Sequence, residues 1–326
     1  MKKTIYLHIG YHKTATTFLQ WSIFPKLKKV KLIRKTHAKD LLNEVRLRKL
    51  DEDDVLRIRN AFDKKGSDKK PTLISYEGWS GSPFSQKKSK SAYSILQDLR
   101  RIFPEEHYDV HLIIGIRKQV DLMTSLYIEF LHQGGNKTEA DYIDELERNN
   151  KFTNYLYNDY LDAVEKLFGK NYFIFIYENF KKGKDNYLLE LLNYLGVKKV
   201  PEYSNQQVNR SYGVFQAKMA RKLNTLFKTQ KNPDGKIPEI KIKLKRNYSK
   251  KMAEKLLDKK KKTITLSPRT LLQNKLSFKL HYKRYHMSEN LQKKINRYFN
   301  EDNEKLAQRE GINLPSYYYE DKRETN

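Results

Sequence analysis

The chain has 326 residues, 66 Lys or Arg against 39 Asp or Glu, a formal charge of +27 and no cysteine. Lack of cysteine excludes disulfides, thiolate catalysis and cysteine-based zinc sites together. No run approaches the ~20 apolar residues of a membrane-spanning helix, yet the 38% hydrophobic content gathers into strand-like runs sufficient for one central sheet.

The first run, Thr4-Ile5-Tyr6-Leu7-His8-Ile9, reads as a buried strand. Gly10-Tyr11-His12-Lys13-Thr14-Ala15-Thr16-Thr17 follows, and the apolar periodicity after it predicts a helix over 16–28. Strand, short loop and helix N-terminus build an anion cradle: backbone N–H groups converge, the helix dipole adds positive potential, and Lys13 supplies a full charge. The threonine hydroxyls add donors for phosphate or sulfate oxygens. The nucleotide triphosphatase loop ends in Gly-Lys-Ser/Thr, whereas here the lysine comes three residues after the only glycine. The opening Met-Lys-Lys looks like a signal peptide, but its apolar part is short and runs straight into this loop, so a cytoplasmic location is expected.

A short strand at 30–34, helices between about 38 and 64, and a strand over 72–76 come next, the last ending at Glu77. A loop and a helix over 89–102 lead to a strand over 108–116, whose continuous apolar run from Val110 to Ile116 suits a parallel sheet. Arg117 stands at its end, followed by Asp121, Ser125 and Tyr127 on a helix over 119–132, with Asp121 and Ser125 on one face. Helices over 138–168, a strand over 172–177, a helix over 184–195 and a helical last third complete the chain. This alternation predicts an α/β fold, a single domain over 1–326 with a four- to five-stranded, mainly parallel sheet flanked by helices. The Lys13 loop, Glu77, Arg117 and Tyr177 all fall at carboxyl ends of predicted strands, where such sheets bind ligands.

Residues 228–262 stand apart, with fourteen Lys or Arg against four Asp or Glu. Pro233-Asp234-Gly235 and Ile237-Pro238 break any helix there, and the alternation from Ile240 to Lys245 allows an amphipathic strand. This reads as a peripheral basic insertion, able to attract an anionic membrane surface, an anionic glycan or nucleic acid. Lysine is spread over almost every predicted helix, so the charge reads first as a solvated surface and argues against nucleic acid as the main partner. Eight histidines lack metal-binding spacing, and no metal is expected.

The Lys13 loop, the Arg117–Ser125 pair and Phe173-Ile174-Phe175-Ile176-Tyr177-Glu178-Asn179-Phe180, in that order, resemble the sulfotransferases that use 3′-phosphoadenosine 5′-phosphosulfate (PAPS). The tail from Tyr298 to Ala307 is similar to the closing helix of their bacterial, carbohydrate-type members, and the resemblance covers roughly 4–211 and 288–319. It implies a P-loop-like domain in which Gly10, His12, Lys13, Thr14, Ala15, Thr16 and Thr17 hold the 5′-phosphosulfate. It also implies that Arg117 and Ser125 grip the 3′-phosphate and that Tyr177 lies near the nucleotide. The cytosolic branch carries an Arg-Lys-Gly motif that is missing here, while Asn209-Arg210-Ser211 resembles a segment of the bacterial and Golgi-type members, making Arg210 the candidate to complete the 3′-phosphate site. The implied reaction moves the sulfuryl group of PAPS to the hydroxyl of a small-molecule or glycan acceptor, carbohydrate or glycolipid by preference, and releases 3′,5′-ADP.

In that reaction Lys13 would neutralise the leaving oxygen and Glu77 would take the acceptor proton, with His132 as the competing base. Trp79, two residues after Glu77, reads first as a core aromatic, with lining the acceptor pocket or stacking on adenine as the alternative, and His107 and His111 are expected to be structural. A P-loop kinase or nucleotidase and a non-enzymatic polyanion-binding module remain the alternatives.

Overall fold

The apolar runs become one sheet. Strands β1 (Lys3–Gly10), β2 (Lys31–Arg34), β3 (Thr72–Ser75), β4 (Tyr108–Ile116) and β5 (Tyr172–Ile176) lie in the order β2-β3-β1-β4-β5, every pair parallel. The structure, a computed structural model, describes residues 2–81, 90–203, 211–229, 231–238, 240–243, 263–266, 272 and 283–319. Successive residues of β4, Leu112, Ile113 and Ile114, are all buried, which happens only when both faces of a sheet are covered. The fold is therefore the α/β class that the alternation of elements predicts.

The chain divides into two compact units where the sequence leads one to expect a single domain with an insertion. The first comprises residues 1–122, 146–206 and 289–326, and the second residues 123–145 and 207–288. In the first, the helix predicted over 16–28 is broken into an α turn, α1 (Thr16–Phe18), a π turn over Leu19–Ile23 and a 3-10 turn over Phe24–Lys26. Pro25 has no N–H to continue an α-helical ladder, and the irregular turns bury Leu19, Ile23 and Phe24 together. Helix α2 (Lys35–Leu47) bends at Ala38, and α3 (Glu52–Lys65) is capped by the Asp51 carboxylate, which accepts from Asp54 N at 2.8 Å. Glu52, Asp53 and Asp54 open α3 and Lys64 and Lys65 close it, the arrangement its dipole favours. Helices α4 (Ala92–Ile102), α5 (Gln119–His132), α6 (Glu139–Arg148), α7 (Tyr157–Phe168), α8 (Tyr177–Lys182) and α9 (Lys184–Tyr194) follow.

The second unit takes in α5 from Met123 and the start of α6, together with α10 (Val214–Leu226). Tyr127, Phe130, Tyr142 and Tyr285 pack their rings against one another in it. Asn224 Nδ2 donates to the carbonyls of Leu131 and Gly135 at 2.8 and 2.7 Å, closing the turn after α5. The described part of the basic insertion includes β6 (Ile240–Lys243), antiparallel to β7 (Thr263–Leu266) with Ile242 opposite Ile264. The last third is thus not wholly helical. The period-two alternation from Ile240 pairs as a ribbon, and α11 (Glu289–Ala307) is the long closing helix. Among the described residues no helix is long and apolar enough to cross a membrane.

His8 belongs to the core. It is 1% exposed, Nδ1 lies 2.7 Å from Ser75 Oγ, and its ring meets Phe24 edge-on. Burial lowers its imidazole to about 4, with Glu77 pulling weakly the other way. A folded-state value below the ordinary one of about 6.5 means the unfolded chain binds the extra proton, so stability falls as pH drops from about 6.5 towards 4. The expected loss across that window is on the order of 3 kcal/mol. Denaturant unfolding at pH 6.5 and 4.5, read beside an NMR titration of His8, checks it; titration near 6.5 would contradict the burial argument.

Candidate functional site

The loop after β1 is held over the carboxyl end of the sheet from both sides. Gly10 has φ +108, a conformation side chains rarely adopt, and a Cβ there would come within 2.8 Å of Ser80 Oγ and 3.0 Å of the Glu77 carbonyl oxygen. Tyr11 N donates to Gly115 O at 2.6 Å, and a Cβ on Gly115 would strike Thr14 Oγ1 at 2.4 Å. Two glycines thus let the loop lie flat between the ends of β3 and β4. Lys13 and Ala15 both adopt left-handed conformations, with φ 66 and 62. That costs roughly 1 kcal/mol or more at each non-glycine position, and such strain is concentrated where a backbone must aim its N–H groups at a ligand.

Glu77 opens a 3-10 turn over Glu77–Ser80 directly after β3, and Thr16 Oγ1 donates to Glu77 Oε2. Thr14 is fully buried and donates to Tyr11 O at 2.6 Å; neither it nor Thr16 makes a side-chain cap for α1. Arg117, 9% exposed, leaves the end of β4 and reaches back to the loop, Nη1 donating to Lys13 O at 3.3 Å. Its guanidinium lies 4.7 Å from the centre of the Tyr177 ring, and its buried Nε has no hydrogen-bond partner among the described residues. Burial lowers the His12 imidazole below its ordinary value; Glu77 opposes this, while Lys13, Arg46 and Lys35 add to it. His12 is therefore a neutral neighbour of the site at neutral pH.

The structure brings Gly10, His12, Lys13, Thr14, Ala15, Thr16, Glu77, Arg117 and Tyr177 to one edge of the first unit's sheet. Thr17 lies in α1, directly after the loop, and is exposed. Ser125 lies half-buried on α5 within the second unit. His132 is also in that unit, 7% exposed, its ring edge-on to Tyr212 at 3.9 Å and its Nδ1 3.6 Å from Glu129 Oε2. Arg210 lies outside the described residues. Trp79 takes the core reading: fully buried, it donates from Nε1 to Leu42 O at 3.2 Å and packs on Phe62 and Tyr76. The 3-10 turn rotates position 79 into the core, so Trp79 neither lines a pocket nor stacks on a ligand.

Some supporting residues carry no sequence signal. Tyr157 OH, forty positions from Arg117, donates to the Arg117 carbonyl at 2.8 Å and fixes the strand end. The glutamate of Tyr177-Glu178-Asn179 accepts from Lys118 N at 3.2 Å and from Tyr318 OH, and burial raises its carboxyl above the usual range. In the closing helix, Asp302 accepts from Asn158 N and Asp159 N at 3.1 and 3.2 Å, while Asn303 and Gln119 exchange hydrogen bonds of 2.9 and 3.0 Å. The motif-like tail therefore braces the start of α5 and α7.

No protein-family model and no curated protein matches the chain. Among solved structures, a sulfotransferase from Alicyclobacillus acidocaldarius is similar at 14% identity and a TM-score of 0.46, over 64% of this chain and 87% of that one. Mouse sulfotransferase SULT7A1, complexed with PAP, is similar at 12% identity and a TM-score of 0.36, over 62% of this chain and 60% of that one. The sulfotransferase domain of the curacin biosynthetic pathway is similar at 12% identity and a TM-score of 0.35, over 79% and 98%.

Proposed function

We propose that the chain transfers the sulfuryl group of PAPS to the hydroxyl of an acceptor, a carbohydrate or glycolipid, and releases 3′,5′-ADP. The observation that carries this is the convergence of the strained Lys13 loop, the Glu77 carboxylate and the Arg117 guanidinium, from β1, β3 and β4, on one sheet edge. Backbone N–H groups, threonine hydroxyls and a guanidinium nitrogen without a hydrogen-bond partner among the described residues suit tetrahedral anions at both ends of such a nucleotide.

The acceptor oxygen attacks sulfur in line, and the bond from sulfur to the bridging phosphate oxygen breaks. Glu77 takes the acceptor proton. Lys13 balances the charge left on the bridging oxygen, an interaction strongest in the transition state. Arg117 is assigned to the 3′-phosphate, with Tyr177 flanking its guanidinium.

Thermal unfolding with 3′,5′-ADP and with AMP tests the reading. 3′,5′-ADP should stabilise the protein by about 2.7 kcal/mol at a hundredfold excess over its Kd, and AMP far less. Arg117→Ala should erase most of the difference. Equal stabilisation by the two nucleotides, or a response to ATP with Mg²⁺ and none to 3′,5′-ADP, would overturn it.

A further inference from the structure

Helix α2 is pinned against the Glu77 turn. Tyr76 OH donates to Asn43 Oδ1 at 2.6 Å, and Trp79 Nε1 bonds the Leu42 carbonyl. Arg46 follows three residues after Asn43 and four after Leu42, so it stands on the same face of the helix, one turn further on. Its environment is unlike that of its neighbours. Arg48 and Arg57 share Glu44 and Asp54 as carboxylate partners. Arg46 is half-buried, has no ion pair among the described residues, and its buried Nε lacks a hydrogen-bond partner there. A desolvated guanidinium nitrogen without an acceptor is costly, and a ligand is one standard reason for a fold to keep one.

Its charge is felt at the site. Arg46 adds to the lowering of the His12 imidazole and opposes the raising of the Tyr76 hydroxyl by burial, and Lys35 at the start of α2 also acts on His12. The sheet order separates these cations from the nucleotide side. Arg117 and Tyr177 follow β4 and β5 on one side of β1, whereas Glu77 and α2 follow β3 and β2 on the other. The Glu77 turn thus shares its side of the sheet with α2, and a neutral acceptor bound there would leave Arg46 unmatched.

We propose, on the reading that Glu77 faces an acceptor hydroxyl, that Arg46 forms a subsite for an anionic group the acceptor already carries. A carboxylate or a sulfate ester fits a guanidinium through paired hydrogen bonds, which fixes the orientation of the sugar beside it. The acceptor class is an acidic saccharide.

Calorimetric titration of the 3′,5′-ADP-loaded protein at 0.15 M salt tests this with three tetrasaccharides. One is non-sulfated hyaluronan, with carboxylates only; the second is its carboxyl-reduced, neutral form; the third is that neutral form bearing 6-sulfates. At least one acidic form should bind tenfold or more tightly than the neutral one, and which of the two does so names the anion. Arg46→Gln should abolish the preference without weakening the neutral form, Arg46→Lys should keep part of it, and Lys65→Ala, a control for unspecific attraction to a basic surface, should keep all of it. Wild-type protein that treats all three alike, a preference that survives in Arg46→Gln, or one lost equally in Lys65→Ala would overturn the subsite. Should Arg46→Gln fail to fold, Arg46→Lys carries the test: a preference reduced from the wild-type value supports the subsite, and one unchanged from wild type overturns it. A wild type without any response to 3′,5′-ADP instead sinks the sulfuryl-donor reading, and the same titration on ligand-free protein then decides the anion subsite separately.

Discussion

Lys13→Ala should lower the rate of sulfate transfer by roughly 10²-fold or more, the size of losing one strong donor to a developing oxyanion. The fold should survive, because a lysine in a surface loop contributes little burial and its carbonyl contact is one that alanine keeps. Arg117 Nη1 is bonded to the Lys13 carbonyl, and the left-handed φ of 66 is as strained for alanine as for lysine, both having a Cβ. The substitution therefore removes the ammonium and keeps the backbone geometry of the loop. Single-turnover kinetics beside a 3′,5′-ADP titration would separate the chemical step from binding, since a charge needed chiefly in the transition state lowers kcat more than it weakens ground-state affinity. Near-normal transfer by a well-folded Lys13→Ala protein would contradict the mechanism at its centre.

The legible part of this molecule was set by short-range rules. Four of the five strands of the main sheet announce themselves as apolar runs, with β2 only a short Leu-Ile pair between charges, and parallel strands carry their ligands at the carboxyl ends, so Lys13, Glu77, Arg117 and Tyr177 could be placed together by position alone. What was not legible depends on contacts distant in sequence or on backbone conformation. The Thr16–Glu77 link spans 61 positions and the Tyr157–Arg117 link 40. Lys13 and Ala15 look like ordinary helix-entry residues, and only the folded loop forces them into left-handed conformations. Trp79 enters the core because the chain after β3 turns through a 3-10 coil; an extended continuation would keep position 79 on the same side as Glu77. The antiparallel β6–β7 pairing joins residues across a lysine-rich stretch whose composition alone points equally to helix or loop.

Glu77→Gln should cut kcat by about 10²–10⁴-fold, the contribution expected of a positioned general base, and leave 3′,5′-ADP binding unchanged. Glutamine keeps the length of the side chain and an oxygen that can still accept from Thr16 Oγ1, so the tie between the loop and the turn after β3 is preserved while proton acceptance is lost. His132→Ala should be far milder, since that ring is buried against Tyr212 in the second unit. An active Glu77→Gln beside an inactive His132→Ala would mean that the base has been misassigned. A third variant guards against a purely structural role for the carboxylate. Thr16→Val deletes the hydroxyl that Glu77 holds but spares the carboxylate, so it should weaken nucleotide binding through a loosened loop and leave proton transfer largely intact. If Glu77→Gln and Thr16→Val instead share one phenotype, loss of 3′,5′-ADP affinity with turnover of the bound complex unaltered, Glu77 is a strut for the loop and the acceptor proton leaves by another route.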